Sequence, residues 1–273
     1  MSFLGLAGRN IVIFGVANRR SVAWGIAQVL RENGANLLYV FKDEDLLQKN
    51  RALIGSEAQA ICCNVEDKQQ LEALKANIGT IFPTVHGIVH SIAFANYSEG
   101  LKPFHQTVRA DFLQALQISC FSLVEIANEL SSLLASDASI VTISISTTKM
   151  ASENYGYMGP IKAALDSTVA FLAKSLATEV ARDIRVNAVG PGLLKTSASA
   201  GIPGYIDAYL YAETVIPRRR SLETEEAANV AAFLLSPRSS GINAQTIVVD
   251  AGMGINYFSK DIVRKVSAPD SNN

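Results

Sequence analysis

The sequence predicts an α/β fold: one domain built on a doubly wound, seven-stranded parallel sheet. Three observations predict it. Short apolar runs alternate with longer segments of helical periodicity. Those runs are nearly continuous in Val, Ile and Leu, as strands covered on both faces are. Neither an internal repeat nor a linker divides the 273 residues, a length that suits one large core.

The strands are expected in order at "NIVIFGV" (10–16), "ANLLYVF" (35–41), "AQAICCNV" (58–65), "VHGIVHSIAF" (85–94), "SIVTISIS" (139–146), "DIRVNAVG" (183–190) and "AQTIVVDA" (244–251). Helical stretches lie between them, notably 21–34, 112–135 and 161–182, and Gly34 stands where a helix C-terminus favours glycine. Such alternation implies right-handed crossovers and a Rossmann-like arrangement. The domain is expected to span 1–266, followed by a polar, frayed tail, "SAPDSNN" (267–273).

Composition narrows the function classes. Apolar residues make up 49% and charged residues 18%, so the chain is globular rather than disordered. A net charge of −1 gives no pull toward nucleic acid or an anionic membrane, and neither is expected as a partner. Three cysteines, with Cys62 and Cys63 adjacent, form neither a disulfide framework nor a zinc spacing, so reduced thiols in the cytoplasm are expected. The first residues lack a basic stretch followed by a long apolar one, and no apolar run reads as a bilayer span. His86, His90 and His105 show no metal spacing and read as structural; no metal is expected.

In doubly wound sheets, ligands bind at the carboxyl ends of the strands, and the first strand–helix turn receives a pyrophosphate. Here that turn is "GVANRRSVAWGIA" (15–27), which lacks G-x-G-x-x-G. Gly15 supplies a tight turn, Ala17 a small residue and Ser21 a hydroxyl at the next helix start; a strand exit and an N-cap explain the same residues. The second strand ends in "FKDED" (41–45). Lys42 could hold a 2′-phosphate, but the three carboxylates after it disfavour one, so NADH is expected, with NADPH as the alternative.

"ENYGYMGPIKAALD" (153–166) offers the catalytic chemistry. A phenol with an ordinary pKa of about 10 gains from a nearby ammonium if it is to donate near neutrality. Tyr155 and Lys162, seven apart, would share a helical face if both were helical, whereas Tyr157 and Lys162 would diverge by about 140°. Tyr155 is therefore the better partner. A packed tyrosine beside a solvated lysine explains the spacing equally.

Read together, these stretches resemble the enoyl-acyl-carrier-protein reductases of bacterial type II fatty-acid synthesis, a divergent branch of the short-chain dehydrogenase/reductases. The resemblance covers about residues 5–256. It is carried by the turn at 15–27, "HSIAFAN" (90–96), the Tyr-x6-Lys of 154–166, "IPRRRS" (216–221) and "VDAGMGI" (249–255). Ordinary members of the superfamily have Tyr-x3-Lys, but Met158 stands four residues before Lys162.

The resemblance implies an NADH-dependent reduction of the trans-2 double bond of enoyl-acyl-carrier-protein, by a homotetramer. Gly15, Ser21 and Val22 would line the pyrophosphate and adenosine side, and Asn64 and Val65 the adenine. Ser91, Ile92 and Ala93 would pass the nicotinamide ribose, which Lys162 would bind. Gly192, Leu194 and Thr196 would contact nicotinamide and pyrophosphate. Phe94, Ala95, Leu101, Tyr155, Met158, Ala198 and Ile202 would form the acyl pocket, under a mobile lid at about 195–210. Tyr155 would donate a hydrogen bond to the enolate oxygen that forms when hydride reaches the β-carbon. Core or lid packing explains Phe94, Met158 and Ile202 as well. Arg219 and Arg220 could meet an acidic carrier protein, but internal ion pairs or a solvated face are expected.

Three departures from the family pattern stand out. Ile145 replaces a second pocket tyrosine, Asn64 replaces an aspartate, and "VNAVGPGLLKT" (186–196) reads like the ordinary superfamily form. They leave open a specialised paralogue, a carbonyl reductase and a non-catalytic cofactor-binding homologue.

Overall fold

The computed structural model describes residues 3–151, 155–196, 205–256 and 258–267. All seven expected strands form: β1 Asn10–Phe14, β2 Asn36–Phe41, β3 Gln59–Cys62, β4 Val85–His90, β5 Leu134–Ile143, β6 Arg185–Pro191 and β7 Thr246–Val249. They pair in parallel in the order β3-β2-β1-β4-β5-β6-β7. The order reverses between β1 and β4, which opens a crevice at the carboxyl ends of those two strands.

Strand alternation feeds two cores. Val12, Phe14, Ile88, Ile140 and Val186 face α3 (Lys68–Gly79), α5 (Ser122–Leu130) and α6 (Met158–Glu179). Ile11, Ile13, Val89, Val141 and Val189 face α1 (Val22–Glu32), α2 (Glu44–Ile54) and α8 (Thr224–Leu235). Burial on both faces is why the strands lack polar alternation. α7 (Tyr205–Val215) and α9 (Lys260–Ser267) complete the described helices.

Helix starts follow local capping chemistry: Ser21, Asp43 and Asp67 each accept a hydrogen bond from a first-turn amide of α1, α2 and α3. The long helical reading at 112–135 needs correction. It resolves into α4 (Arg109–Leu116), a π-helical turn (Gln117–Phe121), α5 and a 3₁₀ turn (Ser131–Leu133). β5 then begins at Leu134, five residues before the expected strand, because Leu134 pairs with Val85 ahead of a register break. By length and composition alone, Arg109–Leu133 is apolar enough to cross a membrane, contrary to the sequence reading. Half of its most apolar window is buried inside the domain, as in a core helix.

Candidate active site

The first turn and the strand beside it are built against each other. Gly15 has φ +96, and a Cβ there would lie 2.1 Å from the carbonyl oxygen of Ser91. Only glycine fits a left-handed residue pressed this closely on a neighbouring backbone. The Ser91 amide donates to the Phe14 carbonyl at 3.3 Å, which carries the β1–β4 pairing one step into the crevice. Ser21 caps α1: its Oγ accepts from the Trp24 amide at 3.3 Å and donates to the Asn18 carbonyl at 2.7 Å. Val22 begins that helix and is buried. This cradle, a glycine turn facing a helix N-terminus, suits a pyrophosphate.

The residues expected on the adenosine side lie at the ends of β2 and β3. Lys42 is exposed, with Nζ 3.8 Å from a Glu66 carboxylate oxygen. The Asp43 carboxylate accepts from the Leu46 amide, so the start of α2 already carries an acid. Asn64 is spent locally, its Oδ1 accepting from the Glu66 amide at 3.2 Å, and Val65 is buried just past β3. On the other flank, the Gly192 amide donates to the Val249 carbonyl, Leu194 is buried, and the Thr196 amide donates to the Leu194 carbonyl.

Lys162 is the most perturbed cation of the crevice. It lies in the second turn of α6, is 4% exposed, and its Nζ donates to the carbonyl of Ile143, the last residue of β5, at 2.7 Å. Burial pulls its pKa down to about 8. Beneath it lies His90, fully buried, with Nδ1 2.8 Å from Thr142 Oγ1 and Nε2 2.9 Å from Ser122 Oγ. Burial first and the Lys162 charge second push the His90 pKa down to about 3, so its ring is neutral.

The two tyrosines part company, for a reason the spacing argument did not contain. α6 begins at Met158, so Tyr155 is not helical; it sits in a turn whose next residue, Gly156, has φ +55. The helical-face premise fails, and Gly156 sets the position of Tyr155 instead. Tyr155 is half-buried against the core that includes Met158 and Leu165. Tyr157 is 3% exposed, donates its hydroxyl to the Asn96 carbonyl, and packs on Tyr97 with ring centroids 5.2 Å apart. Burial pushes its pKa up to about 12, so it is a packing residue rather than an acid.

Ile92 and Ala95 pack against the same core, while Ala93 and Phe94 are exposed. Leu101 would touch a Cβ at Gly156, and Ile145 is half-buried with its carbonyl against Gly190. Ala198, Ile202 and the middle of the expected lid, 197–204, lie outside the described residues. Lys195 sets its ammonium 4.1 Å above the Tyr209 ring of α7. Arg219 pairs with Asp261 and Arg220 with Glu223, so the basic run is engaged internally.

Ser144 escaped the sequence reading. It is 2% exposed, and its Oγ has no hydrogen-bond partner among the described residues. Alternation along β5 puts it on the face of Thr142, one residue past the Ile143 carbonyl that Lys162 holds. A buried unsatisfied hydroxyl asks for a partner, and this one stands beside the lysine. Its place at a strand exit was the signal available; it read as one more strand residue.

Comparison with known proteins shows the family. The family described as "Enoyl-(Acyl carrier protein) reductase" matches residues 15–254. An enoyl-[acyl-carrier-protein] reductase [NADH] of a Nostoc species is 37% identical over 257 residues, covering 92% of this chain and 98% of that one. An enoyl-[acyl-carrier-protein] reductase [NADPH] of Staphylococcus aureus is 34% identical over 253 residues, 91% of this chain and 98% of that one. The crystal structure of the enoyl-[acyl-carrier-protein] reductase (NADH) of Aquifex aeolicus superposes with a TM-score of 0.88 at 31% identity, over 93% of this chain and 99% of that one. With the glycine turn, the Tyr-x6-Lys segment and the seven-stranded sheet in place, the chain belongs to the enoyl-(acyl carrier protein) reductase family.

Proposed function

We propose that this protein reduces the trans-2 double bond of enoyl thioesters carried on acyl carrier protein, in fatty-acid elongation, with NADH as the reductant. The observation that carries the reading is Lys162, a buried ammonium fixed at the end of β5 with Tyr155 on the turn that precedes its helix. Gly15, Ser21, Ser91, Lys162 and Gly192 fit a dinucleotide. When bound, its reduced nicotinamide supplies the hydride. Tyr155 donates a hydrogen bond to the thioester oxygen as negative charge builds there, and the Lys162 charge favours that donation. The Ser144 hydroxyl is placed to satisfy a group brought in by either ligand.

Asp43, Glu44 and Asp45 gather at the ribose end of β2 and disfavour a further phosphate, which supports NADH over NADPH. A homotetramer in the cytoplasm completes the proposal. Phe171 on α6 and Val248 on the edge strand β7 are exposed and suit contacts between copies.

Following NADH and NADPH absorbance with crotonyl and acetoacetyl thioesters tests the reading. Oxidation of NADH by the crotonyl thioester alone is expected. Activity confined to the acetoacetyl thioester would make the protein a carbonyl reductase. The Lys162 pKa of about 8 adds a pH prediction. Turnover falls as pH rises through about 8, where the ammonium loses its proton. Folding stability moves the other way from about 8 to 10.5, because the unfolded chain binds the proton that the folded lysine has shed. A rate flat to pH 10 would remove the charge of Lys162 from the mechanism.

A further inference from the structure

The segment after β4 has no regular structure, yet it carries Phe94, Ala95 and Leu101, expected in the acyl pocket. Its backbone groups still need partners, and buried side chains from the helix layer supply them at alternate residues. Ser119 Oγ accepts from the Phe94 amide at 2.9 Å and donates to the Phe94 carbonyl at 3.1 Å. Tyr157 donates to the Asn96 carbonyl. Asp111 Oδ2 accepts from both the amide and the hydroxyl of Ser98, each at 2.9 Å. Positions 94, 96 and 98 are thus clamped in turn along the loop.

The clamps differ in what they hold. Ser119 is fully buried within the π-helical turn, an irregularity that recurs at functional sites. Asp111 is a carboxylate only 4% exposed, in the first turn of α4. Its Oδ2 accepts twice from Ser98, an exposed residue of the loop. Burying a carboxylate costs free energy that this pair of bonds offsets, and what the bonds constrain is the loop. Without the carboxylate, the Ser98 groups turn to water, so the loss falls on loop position more than on the core.

We propose that Asp111 is a positioning residue for the acyl chain. Together with Ser119 and Tyr157 it holds residues 94–98 as a preformed wall, so that seating a long chain costs little ordering of the protein. The proposal rests on the enoyl-reductase reading of the same site. The link from this loop to Tyr155 is weak: the Tyr97 hydroxyl lies 3.5 Å from the Tyr155 carbonyl oxygen. Chain seating is therefore the larger effect and the chemical step the smaller.

The test compares Asp111→Ala and Asp111→Asn with the parent, using crotonyl and dodecenoyl thioesters and NADH. Asp111→Ala is expected to raise KM for the dodecenoyl thioester roughly tenfold, with kcat and NADH affinity within about twofold. Amide exchange of residues 94–98 is expected to speed up in that variant. Asp111→Asn keeps an oxygen for the same two donors and restores KM and exchange. Unchanged KM and exchange in Asp111→Ala, an equal fall in kcat for both thioesters, or an Asp111→Asn as impaired as the alanine variant would each overturn the proposal. A parent that reduces neither thioester overturns the functional reading along with it; a working parent matched by Asp111→Ala overturns this inference alone.

Discussion

Tyr155→Phe lowers turnover of a crotonyl thioester by about 10²- to 10³-fold and leaves NADH affinity within about twofold. The size follows from the charge the reaction makes. Adding hydride to the β-carbon pushes negative charge onto the thioester oxygen, and one well-placed donor there is worth about 3–4 kcal/mol in the transition state. Phenylalanine keeps the ring that packs on the Met158 core and removes only the hydroxyl. Tyr157 cannot substitute. Its hydroxyl is committed to the Asn96 carbonyl, and burial holds its proton up to about pH 12. Steady-state rates beside a fluorescence titration of NADH separate the two quantities. Unchanged turnover would take Tyr155 out of the mechanism, and a matching loss of cofactor affinity would make it a binding residue.

Acid unfolding should begin well before the carboxylates titrate, and His90 is the reason. Its pKa is depressed from 6.5 to about 3, first by burial and then by the Lys162 charge. Below pH 6.5 the unfolded chain takes up a proton that the folded chain refuses until about pH 3, so stability is lost across that window as pH falls. At about 1.4 kcal/mol per pH unit, the loss reaches roughly 3 kcal/mol by pH 4.5 and on the order of 5 kcal/mol by pH 3. Protonation also sets a second buried cation against Lys162. Urea unfolding at pH 7 and pH 4.5, for the parent and His90→Gln, measures the effect. The variant should start less stable and show a flatter slope between the two pH values. Equal slopes would mean that His90 does not govern acid sensitivity.

Much of the fold was legible in the residues. Seven unalternating apolar runs gave seven strands, because a sheet covered on both sides selects Val, Ile and Leu at every position. Gly15 was identified as a tight turn; the Ser91 carbonyl 2.1 Å from its would-be Cβ explains why it is glycine. The helix from Arg109 to Leu133 was less legible. A π-helical turn adds a residue inside a helix without changing its apolar composition, and the start of β5 depends on a partner strand about fifty residues away.

The candidate site divides the same way. Tyr155 and Lys162 were named from a spacing, but the helical geometry offered for them does not occur, since α6 starts three residues after Tyr155. A turn at Gly156 and a carbonyl at the end of β5 position them instead. Ser144 and Asp111 carried no local signal, because a serine in a strand and an aspartate in a first helical turn are ordinary by themselves.

By itself, then, the order of residues determined the strand runs, the Ser21 cap, the glycine turn and the tyrosine–lysine motif, all of which depend on neighbours within a few positions. Tertiary structure alone decided which tyrosine is sealed in the core, how far Lys162 is depressed, and which buried groups hold the loop at 94–98. Those outcomes depend on burial and on partners 13 to 61 residues apart, such as Asp111 with Ser98 and Tyr157 with Asn96. No local pattern encodes a pairing that exists only once the sheet has brought its ends together.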